Sequence, residues 1–216
     1  MKRTLVVGDI HGCFEELLSL MEKAALGQGD RIIAVGDLIT KGPSNREVLQ
    51  LFANDQRFSS VIGNQDLAVL RFWRGEDVSL TPAQERTVRE LESNAESFRT
   101  YLESLPFYIE LDSHIIVHAG LRPRVPLHEQ SVEDLTELRT MGADRTSREG
   151  VPWFEVYDGE KTVLFGHWPG PEPKTARRAI GLDTGCVYGH LLTAYIIETN
   201  EFVSVPAIAH RFLPVQ

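Results

Sequence analysis

The sequence predicts an α/β fold in which two sheets pack together with helices outside. Three observations point there. Short β-rich runs alternate with helical patterns as far as Trp73, the signature of βαβ units and a largely parallel first sheet. Each of these runs ends in a Gly-Asp or Gly-Asn turn. Beyond about residue 105, further strand-like runs follow one another with tight turns, enough for a second sheet.

The elements follow in order. Thr4–Val7 reads as a strand into Gly8-Asp9-Ile10-His11-Gly12, and Phe14, Leu17, Leu18 and Met21 then mark one face of an amphipathic helix. Residues 31–35 lead into Gly36-Asp37, and Ser44-Asn45-Arg46-Glu47 has the form of a capping box opening the next helix. Residues 58–62 lead into Gly63-Asn64-Gln65-Asp66 and a helix toward Trp73. From Thr81 to Ser104 the chain is helical and polar, with Thr81 as N-cap before Pro82. The stretch 72–105 is expected to form a lid or flank. Residues 107–111 and 115–117 form a hairpin around Asp112-Ser113, ending in His118-Ala119-Gly120. Thr162–Phe165 ends in Gly166-His167, and runs at 179–182, 191–198 and 202–205 give the remaining strands. The loop from Leu121 to Gly159, with several Arg and Pro residues, carries no readable pattern.

The composition is that of an ordinary globular chain, 42% hydrophobic and 25% charged, which argues against disorder and coiled coil. With 22 basic against 31 acidic side chains, a net charge of −9 argues against duplex nucleic acid and anionic membranes as partners. No run of 18 apolar residues exists, the start meets charge too early for a signal peptide, and Cys13 and Cys186 cannot form a disulfide scaffold. The expectation is a single cytoplasmic domain over residues 1–216, its oligomeric state open.

Five strand ends deliver Asp9 with His11, Asp37, Asn64, His118 and His167. Ligands bind beyond the carboxyl ends of strands in α/β sheets, where the loops converge. Two Asp, three His and one Asn suit two divalent ions with mixed nitrogen and oxygen coordination. A carboxylate shared between them, Asp37, would hold the ions about 3.5–4 Å apart. Allowing for a bridging hydroxide, such a centre retains positive charge and attracts phosphate. His114, His128, His190 and His210 have no partnered motif and read as surface or satisfied core residues, and both cysteines read as packing residues. No P-loop and no Gly-x-Ser-x-Gly elbow is present.

The order GDIHG, GDLITKGP, GNQD, HAG, GH, from Thr4 to His167, resembles the calcineurin-like metallophosphoesterase superfamily, in its branch of phosphoprotein phosphatases and symmetrical diadenosine-tetraphosphate hydrolases. The PWFEVYDGEKTVLFGH and GLDTGCVYG segments resemble bacterial members of that branch. The resemblance implies a four-layer αββα sandwich of two packed mixed sheets. It implies that Asp9, His11 and Asp37 hold one ion and Asp37, Asn64, His118 and His167 the other, with Mn²⁺ first and Fe, Zn, Co or Ni as alternatives. The substrate would be a phosphorylated small molecule, a dinucleotide or a phosphoprotein.

Three departures from the family pattern bear on the chemistry. Where G-N-H-[ED] places a general acid, this chain has Gln65, which delivers no proton at neutral pH; Asp66, which would orient that His, is left to hold Gln65 or to cap the helix. Where G-D-x-x-D-R-G supplies a phosphate-clamping Arg, this chain has Lys41, a point charge rather than a bidentate fork. Ile62 stands where an Arg usually precedes G-N, a change shared by resemblance with the dinucleotide hydrolases. Arg139 lies where the family supplies a phosphate-binding Arg, while Arg122 and Arg124 are candidates for distal phosphates. Lys41, Gln65 and Asp66 are therefore the expected catalytic positions, and Lys41, Asn64 and Arg139 the substrate-binding ones.

General acid catalysis contributes about 10²–10⁴-fold, and most for a basic leaving group. Its loss harms phosphoserine hydrolysis most and anhydride cleavage least, so Gln65 points toward phosphoanhydrides or aryl phosphates. The expected function is metal-dependent hydrolysis of phosphate esters or anhydrides by a hydroxide bridging two ions, either as a dinucleoside polyphosphate hydrolase or as a protein phosphatase. The alternative is a catalytically weakened metal- and phospho-ligand-binding protein.

Overall fold

The computed structural model describes residues 2–208. The N-terminal βαβ grammar holds: β1 (Thr4–Val7), β2 (Arg31–Ala34) and β3 (Phe58–Ser60) lie parallel, linked by α1 (Phe14–Lys23) and α2 (Asn45–Asn54), and α3 (Asn64–Trp73) follows β3. The region read as a polar flank forms α4 (Pro82–Leu91) and α5 (Ala95–Ser104), joined by a 3-10 turn. It packs beside α2 and α3. The hairpin is β4 (Tyr108–Glu110) and β5 (His114–Val117). The loop 121–159 contains two short helices, α6 (Val132–Glu137) and α7 (Trp153–Val156). The last strands are β6 (Thr162–Phe165), β7 (Lys174–Ala176), β8 (Ala179–Gly181), β9 (Leu191–Ile196) and β10 (Glu201–Pro206).

Two five-stranded mixed sheets result, ordered β10-β9-β1-β2-β3 and β4-β5-β6-β8-β7. The alternation of side chains along each strand separates three apolar layers. Val6, Ile33, Val35 and Val61 of the first sheet meet Ile116, Leu164 and Leu182 of the second. The opposite faces carry Leu5, Val7, Ile32 and Ala34 toward α1 and α2, and Ile115, Val117, Val163 and Phe165 toward α6 and Trp153. Helix, sheet, sheet, helix is the four-layer order that the resemblance implied. The outer layer over the second sheet is thin, so the fully buried Trp153 does much of its covering. None of the helices described is long and apolar enough to cross a membrane.

Two local expectations are corrected. Leu18 is 44% exposed, whereas Leu17 and Leu20 are buried, because α1 lies on β9 and β10 along that narrower face. Ser44 makes no side-chain cap. Its neighbour Asn45 turns into the preceding loop instead, accepting from Thr40 N at 2.7 Å and donating to Gly42 O. At Thr81 the cap does form, reciprocally with Gln84.

The β1–β2 connection is tied by Asp30, whose carboxylate accepts from the backbone N–H groups of Arg3 and Gly27 and from the Arg3 guanidinium. These donors, the guanidinium first, hold its pKa far below the ordinary 3.8. A depressed carboxylate stabilises the fold above its unfolded pKa and loses that contribution as pH falls. Asp30→Ala should therefore cost about 1–2 kcal/mol at pH 7. Urea unfolding should show the gap to wild type closing progressively below pH 4.

Candidate metal centre

Six parallel strands, three from each sheet, point their carboxyl ends at one seam. β1 delivers Asp9 and His11, β2 Asp37, β3 Asn64, β5 His118, β6 His167, and β8 Asp183. The chain turns sharply there. His11, Asp37, Thr40, Lys41 and His167 all have positive φ, between 48° and 76°. Non-glycine residues held in the left-handed region cluster where a site over-determines the backbone.

Backbone contacts lock the side chains. Asp37 O accepts from Ile10 N and His11 N, and Asp9 accepts from His167 N. His11 Nδ1 faces the Ile39 carbonyl at 3.1 Å, and His118 Nδ1 faces the Val35 carbonyl at 2.9 Å. A carbonyl only accepts, so both Nδ1 atoms carry the proton. Burial drives both rings toward neutrality, His118 down to about 4. Their Nε2 lone pairs therefore point inward. His11 Nε2 lies 3.5 Å from Asp37 Oδ2 and 4.0 Å from Asp9 Oδ2, and His118 Nε2 lies 3.5 Å from Asp37 Oδ1. Asn64 Oδ1 sits 3.0 Å from His118 Nε2 and 3.2 Å from His167 Nδ1.

This donor set fits divalent ions. Acceptor atoms of Asp9, Asp37 and His118 lie within 4.8 Å of one another, all buried. Burial, and then their mutual repulsion, raises the pKa of Asp9; Asp37 and Asp183 are likewise raised by burial. The Lys41 ammonium stands in as cation, 2.9 Å from His11 Nε2. Burial opposes its charge, but Asp37 foremost and then Tyr188 outweigh it and raise its pKa. Convergent carboxylates, neutral imidazoles and an amide oxygen are what a mixed N/O centre requires.

The cavity above these atoms is small, about 70 Å³, and is lined by Lys41, Asn64, Gln65, Arg139 and His167 among others. The structure thus brings together every expected metal ligand, with Lys41, Gln65 and Arg139 at the rim. Arg139 donates to His167 O and Thr146 O. Asp66 corrects the expectation of a catalytic role. It is fully buried and accepts from Gly63 N, Leu38 N and Ile39 N, so it caps α3 and ties down the loop after Asp37 without reaching Gln65's side chain. Arg122 and Arg124 are also corrected. They line a different cavity, Arg122 held bidentately by Asp134 and Arg124 beside Asp158.

Asp183, Arg148 and Tyr188 line the cavity and were missed. Asp183 carries a positional signal in the sequence, since it follows β8 as the six expected ligands follow their strands. His128 and His190 are exposed, while His114 is buried beside Ser113; His210 lies outside the described residues. Cys13 and Cys186 are buried.

A model of the calcineurin-like phosphoesterases matches residues 2–194. The chain is 31% identical to a protein of Halalkalibacterium halodurans named bis(5'-nucleosyl)-tetraphosphatase PrpE [asymmetrical], over 94% of this chain and 93% of that one. It is 30% identical to the protein of the same name from Bacillus subtilis, over 97% and 98%. A crystal structure described as that of a candidate diadenosine tetraphosphatase superposes with a TM-score of 0.80 at 31% identity, covering 95% of this chain and 94% of the other.

Proposed function

The chain belongs to the calcineurin-like phosphoesterase family, whose members are metal-dependent hydrolases using a binuclear divalent centre, and from that premise we propose that it cleaves a phosphoanhydride bond of a dinucleoside polyphosphate. Asp9, His11 and Asp37 would hold one ion and Asp37, Asn64, His118 and His167 the other, Mn²⁺ being the first choice. Such ions supply the positive charge that activates water and polarises a phosphoryl group.

The observation that carries the reading is Gln65 at the rim of the cavity beside Asn64. A carboxamide hydrogen-bonds a departing oxygen but gives it no proton. An alkoxide leaving group needs that proton, a phenolate with a pKa of about 10 needs it less, and a nucleotide phosphate leaves as a stable anion. The Lys41, Arg139 and Arg148 cations at the rim offset the charge of a polyphosphate chain. The names of the relatives agree with an anhydride, and their qualifier favours unequal cleavage.

Mn²⁺-reconstituted protein should hydrolyse diadenosine tetraphosphate faster than p-nitrophenyl phosphate or phosphotyrosine peptide, and phosphoserine peptide slowest. Chromatography of the products distinguishes ATP with AMP from two ADP. Phosphoserine hydrolysed fastest would sink the anhydride reading. Tight metal uptake without turnover on any substrate, across Mn²⁺, Co²⁺, Ni²⁺ and Zn²⁺, would favour the weakened binder instead.

A further inference from the structure

We infer that Gln84, on the helical flank, is a positioning residue that fixes the polarity of the Gln65 amide and so presents N–H donors to the leaving group; the catalytic part of this inference rests on the function proposed above. Gln84 is the third residue of α4 and completes its N-cap. Its Oε1 accepts from the backbone N–H of Thr81 at 2.8 Å, while Thr81 Oγ1 accepts from Gln84 N at 3.4 Å. A backbone N–H can only donate, so the oxygen of the Gln84 amide must be the end that faces it. The other end, Nε2, is therefore a donor, and it lies 3.0 Å from Gln65 Oε1.

The consequence passes to Gln65. Its oxygen is taken by Gln84, and its backbone N–H donates to Asp37 Oδ1 at 2.9 Å. What the side chain has left for the cavity is an NH₂ group. Donor follows acceptor through two amides in series, from the Thr81 N–H to the rim of the cavity, and each bond polarises the next. Gln84 is buried, 6% exposed, so water competes little for its amide. A free glutamine amide rotates to offer either end; this one is held donor-forward. When water attacks, its oxygen bonds phosphorus and one of its protons passes to solvent. The bond to the bridging oxygen breaks, and the electron pair of that bond stays on the bridging oxygen as a phosphate anion. Gln65 stabilises it by hydrogen bonding, and no proton leaves the amide.

Gln84→Glu tests this without removing the helix cap, because glutamate fills the same capping role. The new carboxylate still accepts from Thr81 N–H but offers Gln65 a second acceptor. Gln65 must then turn its NH₂ toward the helix and its oxygen toward the cavity. Turnover of diadenosine tetraphosphate by the Mn²⁺-loaded variant should fall about 10- to 100-fold. That loss should vanish in a Gln65→Ala background, where no amide remains to be turned. In the metal-free, ¹⁵N-labelled protein, the Gln65 side-chain NH₂ resonances, assigned by their absence from Gln65→Ala, should move downfield and exchange more slowly. A loss that persists in the Gln65→Ala background, or Gln65 NH₂ signals that do not respond, overturns the inference and leaves Gln84 as a helix cap. Absence of wild-type turnover on every substrate overturns the hydrolase reading instead, and the NMR result still decides the relay.

Discussion

Asp37→Asn should abolish turnover while leaving the metal-free protein at least as stable as wild type. Asp37 is the residue that both halves of the site share: its two oxygens lie 3.5 Å from His118 Nε2 and 3.5 Å from His11 Nε2. Removing that charge should cost several kcal/mol of transition-state stabilisation, about 10³-fold or more in rate. Folding points the other way. Asp37 is buried near Asp9 and Asp66, and its charge raises the pKa of each. Asparagine keeps an oxygen for Gln65 N–H and removes the repulsion, against which the lost attraction to Lys41 must be set. The metal-free variant should gain about 1 kcal/mol. Mn²⁺ at 100-fold excess over its Kd should stabilise wild type by about 3 kcal/mol and leave the variant unmoved. Calorimetry with and without Mn²⁺ checks both halves. A lower melting temperature for the metal-free variant would make Asp37 a structural residue first.

The opposition between site and stability also explains what was legible in the sequence. A ligand at a strand end needs a strand, a sharp turn and a metal-binding side chain within a few residues. All three signals are local, so Asp9, His11, Asp37, Asn64, His118 and His167 could be read in order. Asp183 likewise follows a strand, β8, but Leu182 precedes it where a glycine precedes Asp9, Asp37, Asn64 and His167, so the turn signal is weaker. Other features depend on contacts that no local pattern encodes. Ser44 has the letters of a cap, but Asn45 is drawn into the loop by Thr40 and Gly42. Asp66 could have supported Gln65 or the helix; three backbone N–H groups in reach decided for the helix and the loop before it. The meeting of Gln84 with Gln65 spans 19 positions and depends on how the flank packs against α3. Arg148 and Trp153 sit in the loop 121–159, where short helices held by tertiary packing show little periodicity.

Gly63→Ala should be among the most damaging single substitutions in the chain, although it adds one methyl group. Gly63 has ordinary extended geometry, φ −89° and ψ 168°, so alanine meets no backbone penalty. The obstacle is space. A Cβ there would stand 2.1 Å from Asp37 Oδ1 and 2.2 Å from Asp37 N. One of those atoms belongs to a main chain that itself accepts from Ile10 and His11, so it cannot retreat without moving the turn after β1. The ends of β2 and β3 would be forced apart, separating Asp37 from Asn64. The expected cost is about 3 kcal/mol or more, beyond ordinary overpacking, because backbone rather than a flexible side chain must yield. Gly29→Ala, whose nearest neighbour is the Lys2 side chain at 3.4 Å, should change stability by no more than about 0.5 kcal/mol and serves as the control. Thermal unfolding measures the stability, and a Mn²⁺ titration asks whether any folded Gly63→Ala still takes up metal. If it melts with wild type and binds Mn²⁺ equally well, the strand ends do not approach as closely as the site requires.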